Sequence, residues 1–218
     1  MVNLKQFVKM VKEARKKSGK RNFNQSFELI VTLRDIDIKK QDFNISEVVY
    51  LTHKFTKKPG ICVFAGGDMA LKAKRSKADR IIEPEELEKN ATDKRQLRKI
   101  SNGYSFFLSE TTLMPKIGKI LGQFLGPKGK MPTPVPPNAP VENMVERFTS
   151  AVRIRSRGQL AVAGKVGDES MSDEAVAENT VVIFNAIEKK LPSGNNNIDR
   201  IMLKLTMAEP VTISEMNK

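Results

Sequence analysis

Two segments near opposite ends of the chain share a period of two. From Gln25 to Leu33, Phe27, Leu29, Val31 and Leu33 face one way and Ser26, Glu28, Ile30 and Thr32 the other. From Ile201 to Met207, Ile201, Leu203, Leu205 and Met207 alternate with Met202, Lys204 and Thr206. Each is the pattern of a strand that covers a core with one face, and neither has enough beside it to close that core. The first is accompanied by an amphipathic helix over residues 3–18, set by Leu4, Phe7, Val8, Val11 and Ala14 and stopped by Gly19, and by a second strand at Glu47–Thr52. Before the last, Val152–Ser156 and Leu160–Val166 read as strands, and Ser172 can cap a helix carrying Val176, Ile183, Ile187 and Leu191 that Pro192 and Gly194 end. Joined, the two ends make one α+β domain.

The chain between them changes character after Lys57-Lys58-Pro59-Gly60. Ile61–Ala65 is a short, wholly apolar run followed by Gly66-Gly67-Asp68 and a helical stretch from Met69, the unit of a doubly wound sheet. Similar units follow: Ile81-Ile82, acidic Glu83–Glu88, a basic helix around Arg95–Ile100, the run Tyr104–Leu108, and a helix using Leu113, Ile117, Ile120, Leu121 and Phe124. Prolines punctuate residues 126–140 so densely that an extended loop without regular elements is expected there, with a helix over Val141–Ala151 beyond it. The 218 residues allow one large or two small domains. The pattern favours two: a discontinuous α+β domain of the split β-α-β kind from residues 1–59 and 151–218, and a three-layer α/β, Rossmann-like domain inserted at residues 60–150. The crossings near Lys58-Pro59 and Ser150-Ala151 then lie side by side as a natural hinge.

Lysine and arginine number 38 against 25 acidic residues, a formal charge of +13. That surplus attracts polyanions, nucleic acid first and an anionic membrane face second. A membrane partner needs a broad apolar helix face opposite basic residues; the first helix offers a modest one that the core requires. No apolar run reaches the roughly 18 residues of a membrane span, and the basic start MVNLKQFVKMVKEARKKSGK does not read as a secretory signal. A soluble, cytosolic protein is expected.

Catalytic signals are weak. Cys62 and His53 are the only residues of their types, which excludes an internal disulfide and a cysteine zinc cluster. They fall in a buried strand and at a strand end, where structural roles outweigh a nucleophile pair. Gly66-Gly67-Asp68 lacks the G-x-G-x-x-G spacing, and Gly126-Pro127-Lys128-Gly129-Lys130 has no strand before it and Met131 where a phosphate loop needs Ser or Thr. Glu83, Glu85, Glu86 and Glu88 sit among Arg80 and Lys89 as a solvated helix face. The expectation is a protein with no catalytic residues, no cofactor and no metal. A nucleotide-dependent enzyme using the middle domain is the alternative, and it requires nucleotide binding near Gly66–Asp68.

Gly118–Pro132, GKILGQFLGPKGKMP, resembles the signature of the ribosomal protein L-one family, the first protein of the large ribosomal subunit, in its archaeal form. Phe23-Asn24-Gln25-Ser26-Phe27-Glu28 resembles that family's first RNA-facing strand, and Thr206-Met207-Ala208-Glu209-Pro210 its C-terminal RNA-binding turn. The resemblance covers essentially the whole chain. It implies a structural constituent of the large subunit that binds the 23S-type rRNA stalk near the exit site. It further implies help in the release of exit-site tRNA, repression of translation from its own mRNA, and a monomer when free.

By the same resemblance the RNA-reading residues are Phe23, Glu28, Thr206, Met207 and Ala208, a set suited to 2′-OH groups in a shallow minor groove. Around them Arg153, Arg155 and Arg157 alternate along a strand as candidate phosphate contacts, Lys165 and Gly167 close the next strand, and Lys204 precedes Thr206 on one strand face. Lys116, Lys119, Lys128 and Lys130 give the inserted domain a basic edge of its own, suited to tRNA or rRNA backbone or simply a solvated face. The family has glycine where Ala208 stands. Either the turn is compatible with alanine or the RNA contact differs slightly.

Overall fold

The computed structural model describes residues 3–36, 45–136, 139–156 and 158–214. In chain order the elements are α1 (Leu4–Lys17), β1 (Ser26–Leu33), β2 (Ser46–Tyr50), β3 (Ile61–Phe64), α2 (Gly67–Arg75), β4 (Arg80–Ile82), α3 (Pro84–Lys89), α4 (Lys94–Gly103) and β5 (Phe106–Glu110). There follow α5 (Met114–Leu125), β6 (Thr133–Val135), α6 (Val141–Phe148), β7 (Ala151–Arg155), β8 (Ala161–Asp168), α7 (Asp173–Glu188), β9 (Ile198–Leu205) and β10 (Val211–Ser214). Contacts divide the chain into two compact units, Met1–Lys57 with Ser150–Lys218, and Lys58–Thr149.

The first unit is an antiparallel sheet in the order β10-β9-β1-β8-β7-β2. β1 therefore lies between two strands from the far end of the chain. Its alternation is realised in full: Phe27, Leu29, Val31 and Leu33 are buried, and the residues between them are half-buried. Helices α1 and α7 cover the buried face with Phe7, Met10, Val11 and Ala14 from one and Val176, Ile183, Phe184 and Ile187 from the other, Phe7 and Phe184 meeting at 5.9 Å between ring centres. Each large side chain taken from water there contributes about 1.5–3 kcal/mol. Ser172 caps α7 as its sequence suggests, accepting from the Ala175 amide at 3.3 Å.

The second unit is a parallel sheet in the order β4-β3-β5-β6. Apolar residues fill both faces, which is why its strands read as continuous apolar runs. Cys62, Phe64 and Phe107 pack with α3, α4 and α5. On the opposite face Phe106 meets Phe148 of α6 at 5.3 Å, and Ile61, Val63 and Leu108 are buried too. No described helix is long and apolar enough to cross a membrane.

The proline-rich stretch departs from expectation, because Thr133–Val135 forms a strand within it. Pro134 lies opposite Ser109 in the ladder. It is tolerated because β6 is an edge strand, and Val135 is buried. Helix α6 stops at Phe148, where Thr149 Oγ1 donates to the Glu146 carbonyl at 2.6 Å, and Ala151 opens a strand instead of closing the helix. β9 ends at Leu205, so Met207 belongs to a turn and not to the apolar strand face. β10, too short and isolated to show a period, has no counterpart in the sequence reading.

Candidate nucleic-acid interface

The turn that leaves β9 is locked to the start of β1. The Thr206 amide donates to the Ser26 carbonyl at 3.1 Å, and Thr206 Oγ1 accepts from the Ser26 amide at 3.2 Å while lying 3.1 Å from Ser26 Oγ. Beneath it Gln25 is 1% exposed. Its Oε1 accepts from the Met207 amide at 3.2 Å, and its Nε2 donates to Ser18 Oγ at 2.9 Å. Its own amide and carbonyl pair with Glu169, at 3.2 and 2.9 Å. One buried amide side chain thus joins the end of α1, the entry to β1 and the exit from β9, and its backbone adds the exit from β8. The sequence places Gln25 in a motif and at the start of an alternating strand, and a glutamine where a strand begins carries no local signal of burial.

Phe23, two residues before Gln25, and Met207, within the turn, are 52% and 59% exposed. Ala208 lies outside the left-handed region and donates its amide to the Leu205 carbonyl at 3.0 Å. The turn is therefore compatible with alanine. Thr206, whose hydroxyl is engaged with Ser26, positions the turn in this structure and does not hold a free reading group out to solvent.

Register places Ser46, Arg155, Ala163, Ile30, Met202 and Thr212 on one line across the face opposite the helices. Two residues along β1, Glu28 stands between Lys165 and Lys204. Among the described residues the Glu28 side chain makes no hydrogen bond or ion pair, so its carboxylate is held among cations without being consumed by one. Arg153 and Arg155 share the face on β7. Burial, and next the charge of Arg155, lower the Arg153 guanidinium pKa. Lys165 is less available than its position suggests: its Nζ lies 2.5 Å from the buried Asp168 carboxylate and 4.4 Å above the Phe55 ring. Gly167 faces the other way, under α7, where an added Cβ would come 2.7 Å from Val176 Cγ2. Its place is set by packing, because a bulge between Phe27 and Glu28 shifts the register of β8 there. Arg157 lies outside the described residues.

In the second unit the four candidate lysines separate. Lys116 pairs with Glu88 at 2.8 Å. Lys128 is bonded to Ser101 Oγ at 3.2 Å and also to Asn102. Lys130 turns inward, donating to the carbonyls of Ser101 at 3.1 Å and Tyr104 at 2.6 Å, where α4 ends. Only Lys119 of the four lacks a partner among the described residues. The glycine loop has a structural purpose: a Cβ on Gly126 would meet the Gly122 carbonyl at 2.8 Å, and Gly129 has φ +63°, so the chain ends α5 and reverses toward α4.

The crevice at the carboxyl ends of β3 and β5, where the strand order reverses, is the usual ligand position of such a sheet. Here the Gly66 amide at the start of α2 donates to Glu110 Oε2 at 3.4 Å, so the chain's own carboxylate occupies the place of a phosphate. Three of the four glutamates of the acidic run are engaged in ion pairs, Lys74–Glu83 at 3.0 Å and Arg80–Glu86 at 2.6 Å besides Lys116–Glu88. Burial pushes the Cys62 thiol up to about 12, partly opposed by Arg80, which leaves it protonated and inert near neutrality. His53 Nε2 lies 2.7 Å from Glu178 Oε2, and Asn179 clamps the His53 backbone.

These features define a mixed α/β protein of two sheets, one antiparallel with a half-open charged face and one parallel. Residues 11–209 match the model of the ribosomal protein L1p/L10e family, and the chain belongs to that family. It is 47% identical over 211 residues to the large ribosomal subunit protein uL1 of Cenarchaeum symbiosum, covering 97% of both chains. It is 45% identical to the protein of that name from Thermofilum pendens, covering 94% of this chain and 91% of the relative. The uL1 of Archaeoglobus fulgidus is 39% identical, with 98% and 99% covered. These relatives are named as ribosomal proteins and not as enzymes.

Proposed function

We propose that this chain is a structural constituent of the large ribosomal subunit, cytoplasmic and ribosome-associated, which binds a 23S-type rRNA stalk near the exit site through residues of both chain ends. One observation carries the reading: Met207, whose amide the buried Gln25 holds within its turn, and Phe23, two residues before that glutamine, are both more than half exposed. Exposed apolar side chains on an immobilised turn suit unstacked RNA bases, which gain a platform there. Glu28 accepts from a ribose 2′-OH or a base amino group, and Lys204, Arg153 and Arg155 meet phosphates. The names of the relatives support the subunit. Release of exit-site tRNA, with Lys119 as the one of the four candidate lysines that has no partner among the described residues, and repression of its own mRNA follow from the family resemblance, as does a monomeric free protein.

The test is a titration against a large-subunit stalk fragment and a scrambled control at two salt concentrations, with Phe23→Ala and Met207→Ala beside the wild type. The stalk RNA is expected to win by at least about tenfold, each substitution removing about 1–3 kcal/mol of that preference. Equal binding of both RNAs, weakening together with salt, would mean that charge alone acts and would overturn these site assignments. The leader of its own message, titrated in parallel, should lose affinity with the same two variants.

A further inference from the structure

Strand β2 is an edge of the six-stranded sheet, and no described strand pairs with its outer side. Its ladder to β7 decides which backbone groups look outward. The Ser156 amide donates to the Ile45 carbonyl at 2.8 Å and the Leu51 amide to the Ser150 carbonyl at 2.9 Å. By antiparallel alternation Glu47 and Val49 then bond to β7, and the N–H and C=O groups of Ser46 and Val48 point away from the sheet.

Beside this edge runs a groove of about 540 Å³ between β2 and α7, floored by Val49, Val182 and Ala186 and bordered by Asn185, Lys189 and Lys190. Residues 182, 185, 186 and 189 form one stripe of the helix. Lys190 Nζ lies 3.7 Å from Glu47 at the start of β2, while His53, just beyond its end, meets Glu178 further back along α7. Strand and helix therefore run in opposite directions. The amides of Lys189, Lys190 and Leu191 already bond to carbonyls of the last turn. The helix end thus presents ammonium groups, and Lys189 has no ion pair among the described residues.

We propose that this groove docks an extended peptide segment, added as a strand to the outer edge of β2, with an aliphatic side chain over Val182 and Ala186 and an acidic group at Lys189 and Lys190. An unpaired strand edge recognises a peptide backbone, which RNA cannot imitate, and the pocket beside it reads alternate side chains. The sheet is antiparallel throughout, so the added strand runs toward Ser46 and its acidic end is C-terminal.

A fluorescein-labelled ten-residue peptide alternating valine and threonine and ending in two aspartates tests this with the full chain, by anisotropy and amide exchange. Val48→Pro removes an outward N–H without breaking a bond to β7, and Ala186→Arg fills the groove from the helix. The peptide should bind, a version with proline at alternate positions should not, and exchange at Ser46 and Val48 should slow. Each variant should weaken binding at least about tenfold, with the unfolding midpoint and stalk-RNA binding kept. Should Val48→Pro lower the midpoint, Ala186→Arg alone carries the reading. Failure of the peptide to bind overturns the proposal, as does equal binding to Ala186→Arg. So does displacement by a single-stranded RNA with neither variant affected, which would mark a plain cationic patch. A concentration-dependent dimer that excludes the peptide would assign the edge to a second copy instead.

Discussion

The amide of Met207 donates to the side-chain oxygen of Gln25 at 3.2 Å, joining residues 182 positions apart in the chain. Gln25 is buried and answers several donors and acceptors, so Gln25→Leu leaves them unmatched. A loss of about 1–3 kcal/mol of stability is expected in denaturant unfolding. Affinity for stalk RNA should fall in the same variant, whereas a surface change such as Lys20→Ala should leave the unfolding midpoint where it is.

Thr206 separates positioning from contact. Its Oγ1 accepts from the Ser26 amide, so Thr206→Val should lower stability by about 1 kcal/mol and weaken RNA through the displaced turn. Thr206→Ser keeps the hydroxyl and should restore both. If Thr206→Val leaves stability unchanged and abolishes RNA binding, the hydroxyl touches RNA directly.

Two glycines should respond oppositely to alanine. At Gly167 the added carbon would sit 2.7 Å from Val176 Cγ2, and overpacking of that kind costs about 1–3 kcal/mol. Val176→Ala in the same chain should recover part of the loss. At Gly118 nothing lies within 4 Å of the new carbon, and alanine within α5 should stabilise by about 0.5–1 kcal/mol. Thermal unfolding of the three variants decides it.

Lys130 and Lys119 look alike in sequence and differ in burden. Lys130→Met strips the carbonyls at the end of α4 of a charged donor and should cost about 1.5–3 kcal/mol in unfolding. Lys119→Ala should be neutral in the same assay, any effect appearing only in the salt dependence of RNA binding.

Cys62 reports on opening of the parallel sheet. With the thiol raised to about 12 in the fold, iodoacetamide labelling at pH 8 should be slow until denaturant exposes the residue. Between the ordinary thiol value and about 12 the unfolded chain has released a proton that the folded chain keeps, so this group's contribution falls as pH rises through that window. Cys62→Ala should flatten the decline in stability above about pH 9.

The alternation of Phe27 to Leu33 and the apolar run Ile61–Phe64 were legible because each reports a burial pattern local to a few residues. β6 was not, since Pro134 suppresses the signal that its edge position makes harmless. Among the candidate site residues, the motif named Phe23 and Met207, which the structure leaves exposed, but spacing could not show that Lys130 points inward, Gly167 lies under α7, or Lys165 is held by Asp168. Those facts depend on which strand faces which helix, a relation that no short window of sequence contains.

The position of β1 between β8 and β9 also sets an order of events during synthesis. Both edges of β1 stay bare until residues 161–205 exist, because its partners are Ala161–Asp168 and Ile198–Leu205. The parallel unit, Lys58–Thr149, is contiguous and has its whole complement of strands long before that. A growing chain thus carries the apolar strand β1 without its ladder partners until residues 161–205 have been made, and cannot form the Gln25–Met207 bond before Met207 itself is added. Under the proposed reading, RNA recognised through that turn is out of reach of any chain not yet extended past Met207, so such a nascent copy cannot compete for the ligand of one that carries the turn.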